Sequence, residues 1–182
     1  MSRPGTFIIM GVSGSGKSLI GGKLAEALGA DFEDGDDFHP AANKAKMSEK
    51  IPLTDEDRWP WLRAMRARIE EKQTAGRSYV LACSALKAVY RELLSGGDPR
   101  SVVEFVFLKG SPELIAGRMA ARKGHFFQGV STTAQAAGGK AAPTLLDSQF
   151  ATLEEPKAEG AMIVNVDQTP DEIVGDILRN LG

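Results

Sequence analysis

The feature that constrains this chain most is a glycine-rich segment near the N-terminus, Gly11-Val12-Ser13-Gly14-Ser15-Gly16-Lys17-Ser18. It fits the pattern G-x-x-x-x-G-K-S in full, and it lies between an apolar run predicted as a strand, residues 7–10, and a predicted helix, Lys17–Leu28. Glycines let the backbone curl around phosphate oxygens and direct successive N–H groups at them, and the helix adds the positive end of its dipole. We therefore expect this loop to hold the phosphates of ATP, with Lys17 on the outer phosphates and Ser18 on Mg²⁺.

The bulk properties limit the remaining choices. The chain has 182 residues, a formal net charge of −2 and one cysteine, Cys83. This length suits one domain, residues 1–182, and the charge indicates neither a nucleic-acid nor a membrane-surface partner. The longest apolar runs are far shorter than the roughly 20 residues that a bilayer requires. A single cysteine in an apolar run is expected to be a small core residue of a protein from a reducing compartment, so we expect a cytoplasmic protein.

Predicted strands and helices alternate along the sequence. Further strands are predicted at 79–83, 102–108 and 162–166, and an acidic segment at 30–38 allows only a short strand around Phe32. Further helices are predicted from close to Asp57, at 111–123, and after a capping-box pattern that starts at Thr169. This order predicts an α/β protein with a central twisted parallel sheet between two helical layers, the three-layer fold of P-loop nucleotide-binding proteins.

An acidic segment follows the first helix, Asp34-Gly35-Asp36-Asp37-Phe38-His39-Pro40. Phosphoryl transfer to a hydroxyl needs positioning, charge neutralisation and a carboxylate that accepts the proton. We expect Asp36 to accept the proton and Asp34 to organise Mg²⁺, although the two roles are interchangeable at this point. The alternative is a solvated turn, because Asp and Gly favour turns for local reasons. For His39 the two possibilities are a substrate contact and a turn residue bonded to backbone.

Several cationic and polar residues complete the predicted site. Arg58 offers a planar fork to a carboxylate, or else pairs with Asp55 or Glu56 on the surface. Ser84, Lys87 and Arg91 follow a predicted strand, at the sheet edge where α/β proteins bind ligands. The pattern S-x-x-K that begins at Ser84 is not interpreted as a nucleophile motif, because the other sequence motifs that accompany it in such enzymes are absent.

Two arginines on one helix face, Arg118 and Arg122, precede a segment rich in small residues at 129–144. We expect this segment to be a mobile loop and the two arginines to swing onto the nucleotide. The alternative is a basic helix C-terminus that complements the helix dipole.

Seven strings together resemble one family, the gluconokinases. They are GVSGSGKS, DGDDFHP, PLTDEDRWPWL, CSALKAVYR, FVFLKG, RKGHF and LLDSQFATLEEP, and they cover most of the chain. The resemblance implies a nucleoside-monophosphate-kinase-like fold with a mobile lid, Mg-ATP as donor, the 6-hydroxyl of D-gluconate as acceptor, and a homodimer. It also implies gluconate contacts at Asp36, His39, Arg58, Ser84, Lys87 and Arg91. One departure is an extended loop at 128–144, within a lid region at about 118–146, where relatives run almost directly from RKGHF to LLDSQF.

Two other functions stay open at this stage. The pocket residues also fit a kinase for another small hydroxy acid such as shikimate, although CSALK in place of a glycine-rich turn disfavours it. A regulatory protein that binds nucleotide without turnover is disfavoured by the intact Lys17, Ser18 and aspartate pair. A switch GTPase is excluded because the nearest string to N-K-x-D, at Asn43, lacks the aspartate and comes too early.

Overall fold

Five strands lie side by side in one parallel sheet in the computed structural model, which describes residues 4–98, 102–126 and 145–182. The spatial order is β2-β3-β1-β4-β5. The strands are β1 (Thr6–Met10), β2 (Asp31–Asp34), β3 (Tyr79–Ala82), β4 (Val103–Lys109) and β5 (Met162–Asn165). Thr6 at the start of β1 is in register with Tyr79 on one side and Val103 on the other. Because all strands run the same way, the segments after β1, β2 and β3 emerge at one edge of the sheet.

Helices cover both faces of this sheet. They are α1 (Lys17–Leu28), α2 (Ala41–Ser48), α3 (Asp55–Thr74), α4 (Ala88–Ser95), α5 (Pro112–Phe126), α6 (Leu145–Thr152) and α7 (Pro170–Leu181). On one face α3 and α4 pack onto alternate strand residues such as Ile8 and Phe105. On the other face α1 and α7 pack onto Ile9 and Val106. The predicted three-layer α/β/α fold is therefore confirmed, because the alternating strand residues feed two separate cores.

Most predicted elements are present with small shifts at their ends. Helix α1 has the predicted bounds, and Gly29 ends it in the left-handed conformation at φ 61°. Thr169 caps α7 through the predicted capping box with Glu172. Strand β2 is half-buried at all four positions, as its acidic sequence predicts.

Helix α3 begins two residues before Asp57, close to its predicted start. The helix begins at Asp55 because the Thr54 hydroxyl accepts the Asp57 N–H and the Asp57 carboxylate accepts the Thr54 N–H, which is a complete capping box. Pro60 lies inside the helix. Its missing N–H leaves the carbonyl of Glu56, an exposed residue, without a helical partner, and water can satisfy that group.

Three helices were not predicted, α2, α4 and α6, and a 3₁₀ turn at Gly35–Phe38 follows β2. Helix α6 joins α5 in a third small core of Val12, Leu86, Ile115 and Leu146 beside the phosphate loop. The extended loop predicted at 128–144 lies outside the described residues, as does most of the predicted lid. None of the described helices combines the length and the apolar character that a bilayer crossing needs.

Candidate active site

The segment after β1 folds as a loop that only glycines allow at three positions. Gly11, Gly14 and Gly16 have φ angles of 148°, 79° and 95°, in the left-handed region that residues with a side chain rarely adopt. A Cβ at Gly14 would lie 2.5 Å from Cγ of Met119, so α5 lies directly on the loop at this point. The loop carries the N-terminus of α1, as the sequence motif requires.

Lys17 points back over this loop. Its Nζ donates to the carbonyl oxygen of Val12 at 3.0 Å. Burial lowers the pKa of the Lys17 ammonium from its ordinary value, and the nearby carboxylates of Asp36 and Asp34 act in the opposite direction. A desolvated ammonium that faces two acids lies where the outer phosphates of a nucleotide are expected.

The two predicted aspartates lie beside the loop, at the end of β2. Asp34 caps the 3₁₀ turn, because its Oδ1 accepts the Asp36 N–H at 2.9 Å. Its Oδ2 accepts a hydrogen bond from the Ser18 hydroxyl, the residue after Lys17. The turn between them is held by Trp61, whose Nε1 donates to the carbonyl oxygen of Gly35 at 2.7 Å. The acidic segment is therefore an ordered part of the loop's surroundings and not only a solvated turn.

Asp36 has the electrostatic character of a proton acceptor. Its side chain is exposed, but neighbouring protein atoms still remove part of its solvation, and this desolvation raises the pKa of the carboxyl, as does the charge of Asp34. The Lys17 ammonium opposes the rise. A carboxylate with a raised pKa binds a proton more readily than an ordinary aspartate does, which suits a general base.

The oxygens of Ser18 and Asp34 fit a magnesium ion. Mg²⁺ prefers oxygen ligands, and in phosphoryl-transfer sites it is held by one or two protein oxygens together with phosphate oxygens and water. A hydroxyl and a carboxylate in direct contact next to the phosphate loop are such a donor set. Among the residues that the structure describes, no group of three His, Cys, Asp or Glu side chains forms a separate all-protein metal site.

His39 is buried and neutral. Its ring stacks on Trp61 with centroids 4.3 Å apart and planes 10° from parallel. Burial lowers its pKa to about 4, and the charges of Arg58 and Lys44 add to this effect. The Asn43 amide nitrogen lies 3.3 Å from Nδ1 and donates to the carbonyl oxygen of Asp57 at 2.8 Å. Because an amide nitrogen only donates, Nδ1 must accept, and the proton of the neutral ring is therefore on Nε2.

Arg58 and Lys87 both lie at Asp55, an acid that the sequence suggested only as a surface partner of Arg58. Asp55 accepts from Lys87 Nζ at 3.0 and 3.1 Å and from the Tyr90 hydroxyl. These two hydrogen bonds, with that from Tyr90 the larger effect, hold the pKa of Asp55 below its ordinary value. Arg58 lies 3.9 Å from Asp55 and 3.4 Å from the Tyr90 hydroxyl. Two cations share one carboxylate, so this cluster has a net positive charge, and the charge of its Arg58 acts on His39.

The other predicted contacts have different surroundings. The Ser84 carbonyl accepts the Gly11 N–H at 3.3 Å, so Ser84 joins the end of β3 to the phosphate loop. The Arg91 guanidinium donates to three carbonyl oxygens, those of Ala85, Leu86 and Glu154, at 2.8, 3.2 and 2.8 Å. These bonds hold the loop before α4 in shape. A role for Arg91 in binding gluconate stays a prediction.

Arg118 and Arg122 lie one turn apart on α5, the first half-buried and the second exposed. Their helix reaches the phosphate loop through Met119, which contacts Gly14. Their predicted role at the nucleotide stays a prediction, and the small-residue segment at 129–144 that was expected to move with them lies outside the described residues.

Sequence reasoning missed four residues that hold the site together: Asn43, Asp55, Tyr90 and Gln149. Gln149 is the least expected, since its Oε1 accepts the Ser13 N–H at 2.5 Å across 136 positions of sequence. No local pattern signals such a contact. Asp55, Tyr90 and Gln149 lie inside strings that carried the family resemblance, and Asn43 lies three residues after one of them; this was the one signal available for these residues.

Comparison with known proteins decides the family. Residues 13–181 match the family model described as shikimate kinase. A thermosensitive gluconokinase of Escherichia coli (strain K12) is 44% identical over 166 residues, which are 91% of this chain and 80% of that protein. A probable gluconokinase of Rattus norvegicus is 40% identical over 198 residues, with 100% of both chains covered. The chain belongs to the gluconokinase family within these kinases.

A solved structure agrees with this assignment. The crystal structure of a gluconokinase from Sinorhizobium meliloti 1021 superposes with a TM-score of 0.79 at 43% sequence identity, covering 100% of this chain and 93% of that one. The gluconokinase fold is thus shared by the part of the chain that the structure describes, which includes the loop, the acidic turn and helix α3 of the site described above.

Proposed function

We propose that this protein is a gluconokinase, which transfers the terminal phosphoryl group of ATP to the 6-hydroxyl of D-gluconate and releases ADP and 6-phospho-D-gluconate. The observation that carries the proposal is the hydrogen-bonded series from Ser18 through Asp34 to Asp36. It fixes an acid with a raised pKa next to the ammonium that faces the phosphates. Full-length identity of about 40% to proteins named gluconokinase supports gluconate as the acceptor.

The residues present support an in-line transfer. The acceptor hydroxyl oxygen forms a bond to the terminal phosphorus, and the bond between that phosphorus and the bridging oxygen of the ADP group breaks. Asp36 accepts the hydroxyl proton. Lys17 and the loop amides stabilise negative charge on the phosphoryl oxygens. Magnesium, held by Ser18 and Asp34, supplies further neutralisation of the phosphates when it is bound.

The sugar acid lies on the β2–β3 side of the loop in this proposal. Arg58 and Lys87 provide the positive charge for its carboxylate, because their cluster with Asp55 has a net positive charge. The Nε2–H of neutral His39 donates to a sugar oxygen, and its pKa of about 4 keeps it neutral at physiological pH. Ser84 and Arg91 complete the predicted set of contacts.

The nucleotide base then lies on the opposite side of the loop, next to β4 and β5. Arg118 and Arg122 belong to the helix that follows β4, so they are on the side where ATP enters. This arrangement separates donor and acceptor across β1, the strand that leads into the phosphate loop.

The proposal extends to assembly and compartment. We expect a homodimer, because members of the family that the chain resembles are commonly homodimers, and a cytoplasmic protein, because its one cysteine, Cys83, is a buried free thiol. Sedimentation equilibrium over a range of concentrations tests the first expectation, and a mass equal to one chain at all concentrations contradicts it.

A coupled assay of ADP release tests the function. The panel contains gluconate, shikimate and other small sugar acids, with Mg²⁺ present throughout. We expect turnover with gluconate and background rates with shikimate. Lys17→Ala is the control for the chemistry, and we expect its turnover to fall about a hundredfold or more, since it removes a charge that acts on the transferred group. ATP binding without turnover on any acid would contradict the proposal and favour a regulatory protein.

A further inference from the structure

One peptide unit of the phosphate loop is held at both ends by side chains. Its carbonyl oxygen, that of Val12, accepts from Lys17 Nζ at 3.0 Å and from the Ser15 N–H at 3.2 Å. Its N–H, that of Ser13, donates to Oε1 of Gln149 at 2.5 Å. Because a trans peptide is planar, the C=O and N–H point in opposite directions, and a partner that fixes one end orients the other.

The residues on either side of this peptide unit would allow it to rotate if its hydrogen bonds to Lys17 and Gln149 were lost. Gly11 precedes Val12, Gly14 follows Ser13, and both glycines have positive φ angles. Glycine populates several backbone conformations at little cost, so the loop has few internal restraints on the orientation of the unit between them. The Ser13 N–H is donated to Gln149 and is therefore not available to a phosphate oxygen in this arrangement.

Gln149 is carried by an element that is itself firmly held. Leu146, one turn earlier on α6, is buried beside Val12. After the helix, the Glu154 N–H donates to the carbonyl oxygen of Leu86 at 2.8 Å, and the Glu154 carboxylate accepts the Ala88 N–H at 2.7 Å. Gln149 therefore approaches the loop from a fixed support, as positioning side chains require.

We propose that Gln149 is a positioning residue for Lys17, acting through the Val12–Ser13 peptide. By accepting the Ser13 N–H, it directs the Val12 carbonyl toward the ammonium and so sets where the charge of Lys17 lies over the phosphates. This inference rests on the proposed phosphoryl transfer for its effect on rate, but its effect on ATP binding does not depend on the acceptor.

The physical need for such a residue follows from the desolvation of Lys17, which is half-buried. A desolvated ammonium requires hydrogen-bond acceptors around it, and the Val12 carbonyl is one that the loop itself supplies. If the peptide turns, the ammonium loses this acceptor and moves toward the carboxylates that lie nearby. A displacement of about 1 Å from the productive position costs on the order of a hundredfold in rate.

A double-mutant cycle distinguishes this role from others. Gln149→Met keeps the length of the side chain and removes the acceptor oxygen, and it is measured alone and together with Lys17→Ala. We expect kcat of Gln149→Met to fall about 10- to 100-fold with little change in the KM for gluconate. We expect the same substitution to change kcat less than about threefold when Lys17 is absent, because residues that act as a unit are not additive.

The dissociation constant for ATP, measured in the same four proteins, supplies a second cycle that does not require turnover. It separates a failure of this inference from a failure of the proposed function, because a protein that does not phosphorylate gluconate still binds ATP. Gln73→Met is the matched control, the same exchange on α3, and Gln149→Ala is a second variant in case methionine disturbs the packing. Thermal denaturation of each protein checks that the fold is intact.

Coupling of at least about threefold between the two substitutions, in kcat or in ATP affinity, supports the proposal. Weaker coupling in both quantities overturns it. Equal losses with and without Lys17 mean that Gln149 contacts the nucleotide itself or only stabilises the fold.

Discussion

A methyl group added at Gly35 tests whether the position of the two acids decides activity. Gly35 lies between Asp34 and Asp36, and a Cβ there would lie 2.6 Å from the carbonyl oxygen of Ala82 and 3.1 Å from Sδ of Met65. The first distance is about 0.8 Å shorter than an ordinary contact, and its partner is strand backbone that cannot rotate away. The acidic turn must therefore move by a large part of that distance.

The size of the effect follows from this displacement. Overpacking of this kind costs about 1–3 kcal/mol of unfolding free energy, which lowers the melting temperature by about 2–12 °C in a protein of this size. A shift approaching 1 Å in Asp36 lowers kcat by about 10- to 100-fold. Because the phosphate loop itself is not crowded by the new methyl group, we expect ATP affinity to change far less than kcat.

The assay compares Gly35→Ala with Gly22→Ala, the same exchange in α1, where a Cβ meets nothing within 4 Å. Alanine is the better helix former by about 1 kcal/mol, so the control is expected to be as stable as the wild type or more stable. The kinetics are measured with ATP and gluconate, and stability by thermal denaturation. If Gly35→Ala has the kcat and melting temperature of the control, the argument from close packing at this turn is wrong.

Three further predictions concern charged and titratable groups. Asp36→Asn is expected to lower kcat about 10²–10⁴-fold with ATP affinity nearly unchanged. In the wild type kcat should fall on acidification at a pH above the ordinary aspartate pKa, because the pKa of Asp36 is raised, and this fall should be absent in the variant. A matched loss of ATP binding points to a nucleotide or metal role instead. The folded protein binds a proton at His39 only near its lowered pKa of about 4, whereas the unfolded chain binds it near 6.5, so acidification from pH 7 toward 4 favours unfolding. Urea titrations should show that His39→Gln loses less stability than the wild type over that pH range. His125 is present in both proteins and does not account for a difference between them. Equal losses in the two proteins would refute the lowered pKa of His39. Lys87→Met is expected to raise the KM for gluconate about tenfold or more and to leave the KM for ATP unchanged. Its control is Lys44→Met, the same exchange at an exposed lysine. Equal KM values for gluconate in the two variants would show that Lys87 does not bind the acceptor.

The packing around Lys17 gives these predictions a common basis. Lys17 follows β1, Asp34 and Asp36 follow or end β2, and the charges of these two acids act on the Lys17 ammonium. Lys87, the partner of Asp55, follows β3. A parallel sheet brings them together without any contribution from sequence proximity.

The sequence by itself determined the elements whose signals are local. The phosphate loop, helix α1 with its Gly29 end and the Thr169 cap of α7 depend on residues a few positions apart, and each was predicted correctly. The three-layer fold followed from the alternation of strands and helices. The choice of Lys17, Ser18, Asp34 and Asp36 also came from sequence, because the chemistry of phosphoryl transfer restricts which residue types can serve.

The tertiary structure alone decided the contacts between distant segments. Gln149 reaches Ser13 from 136 positions away, and Asp55 meets Lys87 and Tyr90 from another helix. Such pairs depend on how helices pack over the sheet, and a polar residue in an amphipathic helix has the same local sequence whether it faces water or a partner. The exact first residue of α3, Asp55, was also decided by the structure, since a proline alone does not show that Thr54 forms a capping box with Asp57. Local sequence therefore set the chemical groups of this site, and long-range packing set their partners.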